Sequence, residues 1–299
     1  MGFRDHIAAC NLYDIGRFRP FLVGRESVGW ITHTLAQRLV RFPGIFTVTA
    51  QTVSLSPTLV TVDERTAAVA EVLAVLVREG HALPLRREMF PVVQRFGAPE
   101  LLRLDRSAVP LFGVRAFGIH VNGFVRTAVG LHLWIGRRSR TKAVAPGKLD
   151  NLVAGGQPAG LSLMENLIKE CAEEADISRT LAETARPVGA ITYCMENNHG
   201  LKTDCMFCFD LDLPADFVPR NTDGEIESFV FMPVEDVLEI VKTTSEFKFN
   251  VNLVILDFAI RHGFMTPERE PDYLDLLFAL RGPAQPLPGH LLVDMIGRD

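Results

Sequence analysis

The sequence has little that would carry it out of a cell or into a membrane. Five cysteines in 299 residues are too few, and odd in number, for a secreted disulfide framework; they point to reduced thiols in a cytoplasm. The opening residues MGFRDHIAAC hold no apolar h-region, and His6 stands where a myristoylation signal needs Ser or Thr. No stretch approaches the roughly 18 apolar residues of a membrane helix. An excess of positive charge is also missing: Lys and Arg number 31 against 36 Asp and Glu, a net charge of −5. Nucleic acid and anionic membranes are therefore poor partner classes. There is no internal repeat, no low-complexity tract, no GxSxG elbow and no Ser/His/Asp or Cys/His grouping that stands out. The expectation is a soluble cytoplasmic protein that works on a small molecule.

The length predicts two domains, each able to bury its own core. Residues 1–110 read as a helix-rich α+β accessory domain. WITHTLAQRLVRF (Trp30 to Phe42) and ERTAAVAEVLAVLVREG (Glu64 to Gly80) carry helical spacing, and FTVTAQTVSLS (Phe46 to Ser56) alternates as a strand. From about 111 to 299 the texture changes. FGIHVNGFVR, GLHLWIGRRS, LDNLVAGGQ, PVGAITYC, DCMFCFDLDL and IESFVFM read as strands. Helices are expected from about Leu163 and over PVEDVLEIVK, FNVNLVILDFAIRHG and YLDLLFALRG. Strands flanked by helices without regular βαβ alternation predict an α/β (α+β) sandwich.

The stretch GGQPAGLSLMENLIKECAEEADI (Gly155 to Ile177) concentrates the chemistry. Ser162 and Glu165 fit a capping box, which starts a helix at Leu163. At about 100° per residue, Met164, Ile168, Cys171, Ala172 and Ala175 share an apolar side, and Glu170, Glu173 and Glu174 fall within about a 100° arc of another. Like charges at this spacing repel by a few tenths of a kcal/mol per pair. A solvated acidic face would explain the spacing alone. Hard divalent cations, however, prefer several carboxylate oxygens on a rigid face, and Gly155, Gly156 and Gly160 just ahead let backbone approach a ligand closely. The turn lacks the Gly-Lys-Ser/Thr of a Walker A loop.

A glycine turn, a capped helix and K-E-x-x-E-E together resemble the signature of the Nudix hydrolases, R-E-U-x-E-E-x-G-U with U apolar. The matching residues are Lys169, Glu170, Cys171, Glu173, Glu174, Asp176 and Ile177. Lys169 replaces the arginine, Asp176 the late glycine and Leu161 a glutamate, and the turn is one residue short. The strings FGVRAFGIHVNGFV, LHLWIGRRS, APGKLDNLVAGGQPAG, DGEIESFVFMPVEDV and FKFNVNLVILDFAIRHG are similar to a Nudix subgroup with an extra N-terminal domain. That subgroup includes plant and fungal enzymes and a domain fused to fungal thiamine pyrophosphokinase.

The resemblance implies a Nudix α/β/α sandwich with a mixed sheet, and Mg²⁺- or Mn²⁺-dependent hydrolysis of thiamine diphosphate or its oxidised analogues to the monophosphate. A nucleoside-diphosphate derivative such as ADP-ribose and a weakened binding module are the alternatives. The resemblance assigns metal to Glu170, Glu173 and Glu174, with a carbonyl of Gly155 or Gly156 as a further ligand, and adds Glu225 to Glu173 and Glu174 as catalytic carboxylates. Glu227 is the reserve, two residues on and so on the same strand face. In the basic run RRSRTK and after it, Arg137 and Lys148 are candidates to face phosphate, the bland reading being a solvated loop. His120 is either a satisfied buried histidine or a substrate contact. The partner expected is a small-molecule diphosphate, and a homodimer is the one assembly considered. Cys205 and Cys208 form a CxxC, but on a strand an i, i+3 pair points to opposite faces, which argues against zinc.

Overall fold

A mixed sheet flanked by helices builds the larger of two compact units in the computed structural model, which describes residues 2–282. This unit takes in 2–11, Phe117–Thr192 and Cys205–Gly282. Its sheet runs in the order 186–197, 200–212, 115–127, 130–138, 226–233. Alternation along the strand Arg115–Thr127 decides which helix lies on which face. Ile119, Val121 and Val125 pack with Leu167, Ile168, Cys171 and Ala175 of the helix Leu163–Ala175. Phe124 packs instead with Leu133 and Ile135 and with helices Val234–Thr243 and Val251–Arg261. Helices therefore cover both faces, the α/β/α arrangement that the sequence resemblance implies.

One expected strand is two. Leu149–Asp150 pairs with 130–138, whereas Val153–Gly156 pairs antiparallel with 115–127, matching Gly155 to Ile119 and Gly156 to Gly118. The chain crosses between the two neighbours at Asn151, which accepts a hydrogen bond at Oδ1 from the His120 ring at 2.8 Å and donates to Asn122 Oδ1 at 2.9 Å. A buried polar side chain with both partners in place fixes a crossing that hydrophobic patterning does not specify. That crossing delivers the glycines to the start of the carboxylate helix.

The second unit takes in Leu12–Ala116 and Tyr193–Asp204. Its sheet has the order 26–32, 18–23, 53–55, 46–48, with 18–23 parallel to 53–55 and the other pairs antiparallel. The helix Val62–Arg78 starts at a Thr61/Glu64 capping box. Phe21, Phe46 and Phe112 meet at ring-centroid separations of 5.3 to 6.4 Å, contacts worth about 0.5–1.5 kcal/mol each beyond burial. Two expectations shift here. Trp30 and Ile31 lie in a strand, and helix begins only at His33, because the Thr32 hydroxyl accepts from Leu35 N–H at 3.1 Å and caps it there. Phe46–Leu55 is a hairpin of two short strands turned at Thr49 to Thr52.

Candidate active site

The carboxylate helix starts as its sequence predicts. Ser162 Oγ accepts from Glu165 N–H at 3.2 Å, and Glu165 returns a carboxylate to Ser162 N–H at 2.8 Å. At the other end Asp176 adopts φ +55° as a left-handed cap. A glycine usually holds such a place; aspartate is among the few L-residues that tolerate it. Its carboxylate is fixed by Arg220 Nε at 2.9 Å, so the Asp176 substitution preserves the helix end. The segment 220–222 then supplies donors to the last carbonyls: Arg220 N–H to Ala175 at 3.2 Å and Thr222 Oγ1 to Glu173 at 2.7 Å. This contact carries Asp223 and Glu225 to the carboxylate face.

Glu174 is buried, 4% exposed. Its Oε2 accepts from Ala154 N–H at 2.9 Å, and no cation pairs with it among the described residues. Burial, with the charges of Glu170, Asp150 and Glu225 adding to it, drives its pKa well above the ordinary glutamate value. Glu170 lies against Gly155, where any β-carbon would run into the Glu170 carboxyl group. Gly118 does the same service opposite, since a β-carbon there would come within 2.8 Å of the Gly155 carbonyl. Desolvation raises the Glu170 pKa, and the Lys169 charge only partly offsets it. Lys169 Nζ bridges Glu173 at 2.6 Å and Glu170 at 3.2 Å. Burial opposes that ammonium, but the two carboxylates together raise its pKa.

Glu225 precedes the strand Ile226–Pro233 and is paired with Lys142. Its charge, like that of Glu173, acts on both Glu170 and Asp223. Glu227 goes elsewhere, to Arg140 at 3.6 Å. A register shift between Ile226 and Ser228 breaks the two-residue alternation that put it on the same face as Glu225. Arg137 donates to the Gly147 carbonyl at 2.8 Å, and Lys148 to the Ser245 carbonyl at 2.6 Å; both tie loops together. His120 is buried against Asn151. The Gly156 carbonyl accepts from Asn166 Nδ2 at 2.9 Å.

Three residues of this neighbourhood escaped the sequence reading: Asp150, Arg138 and Lys142. Asp150 is 2% exposed and pairs with Arg138 at 2.6 Å and Lys248 at 3.4 Å. Alternation through RRS makes one of two neighbouring arginines face inward, and it is Arg138, not Arg137, that is buried.

Among the described residues the acids do not close into a ready-made cluster of three metal ligands. Their chemistry nevertheless fits a divalent cation. Glu170, Glu173, Glu174, Asp223 and Glu225 are five carboxylates, and the ammonium groups of Lys169 and Lys142 pair with three of them. Hard oxygen donors in that excess are what such cations take. Lys169, held between two of the carboxylates, stands where positive charge is called for.

Residues 2–116 match a family model described as Domain of unknown function (DUF4743). Nudix hydrolase 24, chloroplastic, of Arabidopsis thaliana is 44% identical over 284 residues, 94% of this chain and 78% of that protein. Nudix hydrolase 20, chloroplastic, of the same plant is 44% identical over 291 residues, with the same coverage. The chain belongs to the Nudix hydrolase family. Among solved structures, DR0079 of Deinococcus radiodurans covers 56% of this Nudix hydrolase and 97% of its own chain, at 21% identity and a TM-score of 0.43.

As a Nudix diphosphate hydrolase the chain is an enzyme of a class that uses divalent metals. One expectation is corrected: the cytoplasmic placement is overturned by these two relatives, both named chloroplastic. The physical reason is that a small, odd number of cysteines argues only against a disulfide framework and does not distinguish one compartment from another. Within the CxxC, Cys208 is buried and Cys205 half-buried on the strand Gly200–Asp212, and desolvation pushes the Cys208 thiol pKa upward.

Gly155→Ala offers a direct test of the glycine cradle. The new methyl group must displace Glu170, at a cost of about 1–3 kcal/mol for overpacking. Turnover is expected to fall with little change in helix content by circular dichroism. An alanine variant with parental kcat would show that Glu170 does not need this seat.

Proposed function

We propose that this Nudix hydrolase cleaves the diphosphate of a small organic diphosphate with Mg²⁺ or Mn²⁺, and that the substrate is thiamine diphosphate or an oxidised analogue, converted to the monophosphate and inorganic phosphate. The carrying observation is the buried carboxylate of Glu174, hooked to Ala154 N–H beside a Glu170 seated on Gly155. A rigid pair of acids so placed supplies oxygen ligands without a reorganisation cost at the moment of reaction.

Glu170, Glu173 and Glu174 would hold the cation, which supplies charge neutralisation at the diphosphate and makes water a stronger acid. The rest falls to the protein. Lys169 holds Glu173 in the absence of a cation, and its ammonium would compete with a bound cation for the same oxygens. The Asn166 and Gln157 side chains hold the turn: Asn166 grips Gly156, and Gln157 Nε2 donates to the Leu161 carbonyl at 2.7 Å. Water attacking phosphorus loses its proton to a carboxylate of the set Glu173, Glu174 and Glu225. Lys148, Arg137 and His120 remain the proposed substrate contacts. The thiamine reading rests on the sequence strings that resemble the thiamine-linked subgroup, and the general diphosphatase reading stands without it.

The test is a panel of diphosphates with Mg²⁺ and identification of the products. Thiamine diphosphate analogues should yield monophosphate faster than ADP-ribose or nucleoside triphosphates are cleaved. A clear preference for ADP-ribose, or equal rates throughout, would remove the thiamine assignment and leave the diphosphatase mechanism in place.

A further inference from the structure

The unit formed by Leu12–Ala116 and Tyr193–Asp204 holds a cleft of about 950 Å³ entirely within its own residues. That volume lies in the range of small-molecule sites. Its charged groups are unequally occupied. Arg17 is paired with Glu196 at 2.5 Å, and the Asp14 carboxylate accepts from Gly16 N–H at 3.0 Å. Arg38, at the last turn of the helix His33–Leu39, lines the same cleft half-buried. Its guanidinium makes no hydrogen bond or ion pair among the described residues. Glu79, the carboxylate that feels its charge, is already bound by Arg41 at 2.7 Å. A partly desolvated guanidinium with its donor fork unused is costly, and an oxyanion that accepts two parallel hydrogen bonds is its matched ligand.

The surroundings specify the rest of the ligand. His81 and His199 line the cleft and can add donors to an anion, while Tyr13, Leu83 and Leu111 supply apolar wall. A charged end and an apolar body together describe a small organic anion. We propose that this cleft is a second ligand site, separate from the carboxylate site, for a small organic molecule whose phosphate or carboxylate is gripped by Arg38. It is independent of the diphosphatase reading, since every residue it uses lies outside the catalytic unit.

Calorimetric titration of the full chain, with chelator present to keep probe anions off the glutamates, tests this. Phenyl phosphate and benzoate serve as probes, so that the two headgroup chemistries are compared on one apolar body. Saturable binding of at least one probe is expected, weakened about tenfold or more in Arg38→Gln and unchanged in Glu173→Gln. His199→Asn, on the hairpin tip, provides a second variant should Arg38→Gln fold poorly, and should also weaken binding. The stronger probe identifies the headgroup. Binding lost in Glu173→Gln and kept in Arg38→Gln would move the ligand to the carboxylate site and overturn the proposal; so would the absence of saturable binding to either probe at millimolar concentration.

Discussion

Glu174→Gln is expected to give an enzyme about 10²–10⁴-fold slower that nonetheless outlasts its parent when metal-free protein is heated at neutral pH. The two effects have one origin. Glu174 is an acid shut away from water with, among the described residues, a single backbone donor and no counter-cation, an arrangement that is unfavourable without a metal. Its folded pKa lies above the unfolded value, so the native state holds the proton more tightly than the unfolded chain does. The metal-free native state is therefore most favoured below the ordinary glutamate pKa and loses stability as pH rises toward the folded value. A carboxamide cannot ionise, keeps an oxygen for Ala154 N–H and escapes that loss, but it is a poor ligand for a hard cation. Melting curves against pH with chelator should converge in acid and separate toward neutrality, the variant above the parent. Added Mg²⁺ should raise the parent and not the variant. Glu173→Gln, half-exposed and paired with Lys169, should lose turnover without the gain in stability. Parental activity in both variants would sink the metal-helix assignment, and a metal-free Glu174→Gln less stable than its parent would sink the account of its burial.

The parts of this site that were legible in the sequence are those set by short-range rules. A capping box, a 3.6-residue period and three glutamates on one arc specify the helix Leu163–Ala175 with no knowledge of its surroundings. Asp176 reads as a departure from the family pattern until its positive φ is seen, because a left-handed cap leaves no trace in hydrophobic periodicity. What sequence spacing cannot carry is pairing between distant segments. The crossing at Asn151 depends on His120 and Asn122, some 30 residues earlier. The place of Glu225 depends on Thr222 reaching back to Glu173. Glu227 fails as an alternative because one irregular residue in a strand reverses every facing argument beyond it. Arg137 and Arg138 differ by a single step of strand alternation, and the run RRSRTK draws the eye to charge when the deciding variable is burial.

Arg138→Ala should be the most destabilising single change in the catalytic unit, by about 3–5 kcal/mol of the roughly 5–15 kcal/mol that hold a domain together. The guanidinium is 7% exposed, pairs with Asp150 at 2.6 Å, and donates to the carbonyls of Val144 and Ala145 at 3.0 to 3.2 Å. Its loss leaves a carboxylate that is 2% exposed with Lys248 at 3.4 Å and the Asn151 N–H at 3.0 Å, and leaves the loop carbonyls without their donor. Burial opposes the Asp150 charge, but Lys248 and Arg138 together hold its pKa below the ordinary aspartate value. A depressed pKa contributes stability that is present above the unfolded value and is lost as pH falls through the folded one; the gap between parent and variant should therefore narrow in acid. Arg137→Ala is the matched control. Its side chain is more than a third exposed and its partner Glu246 lies at 3.8 Å, so it should cost less than about 1 kcal/mol. Denaturant midpoints for the two variants measure the contrast. Replacing Arg138 and Asp150 together by Met and Leu should recover only part of the loss, since Lys248, itself largely buried, then loses its Asp150 partner. Equal, small effects of the two arginine variants would mean that the buried Arg138–Asp150 pair does not hold this part of the unit together.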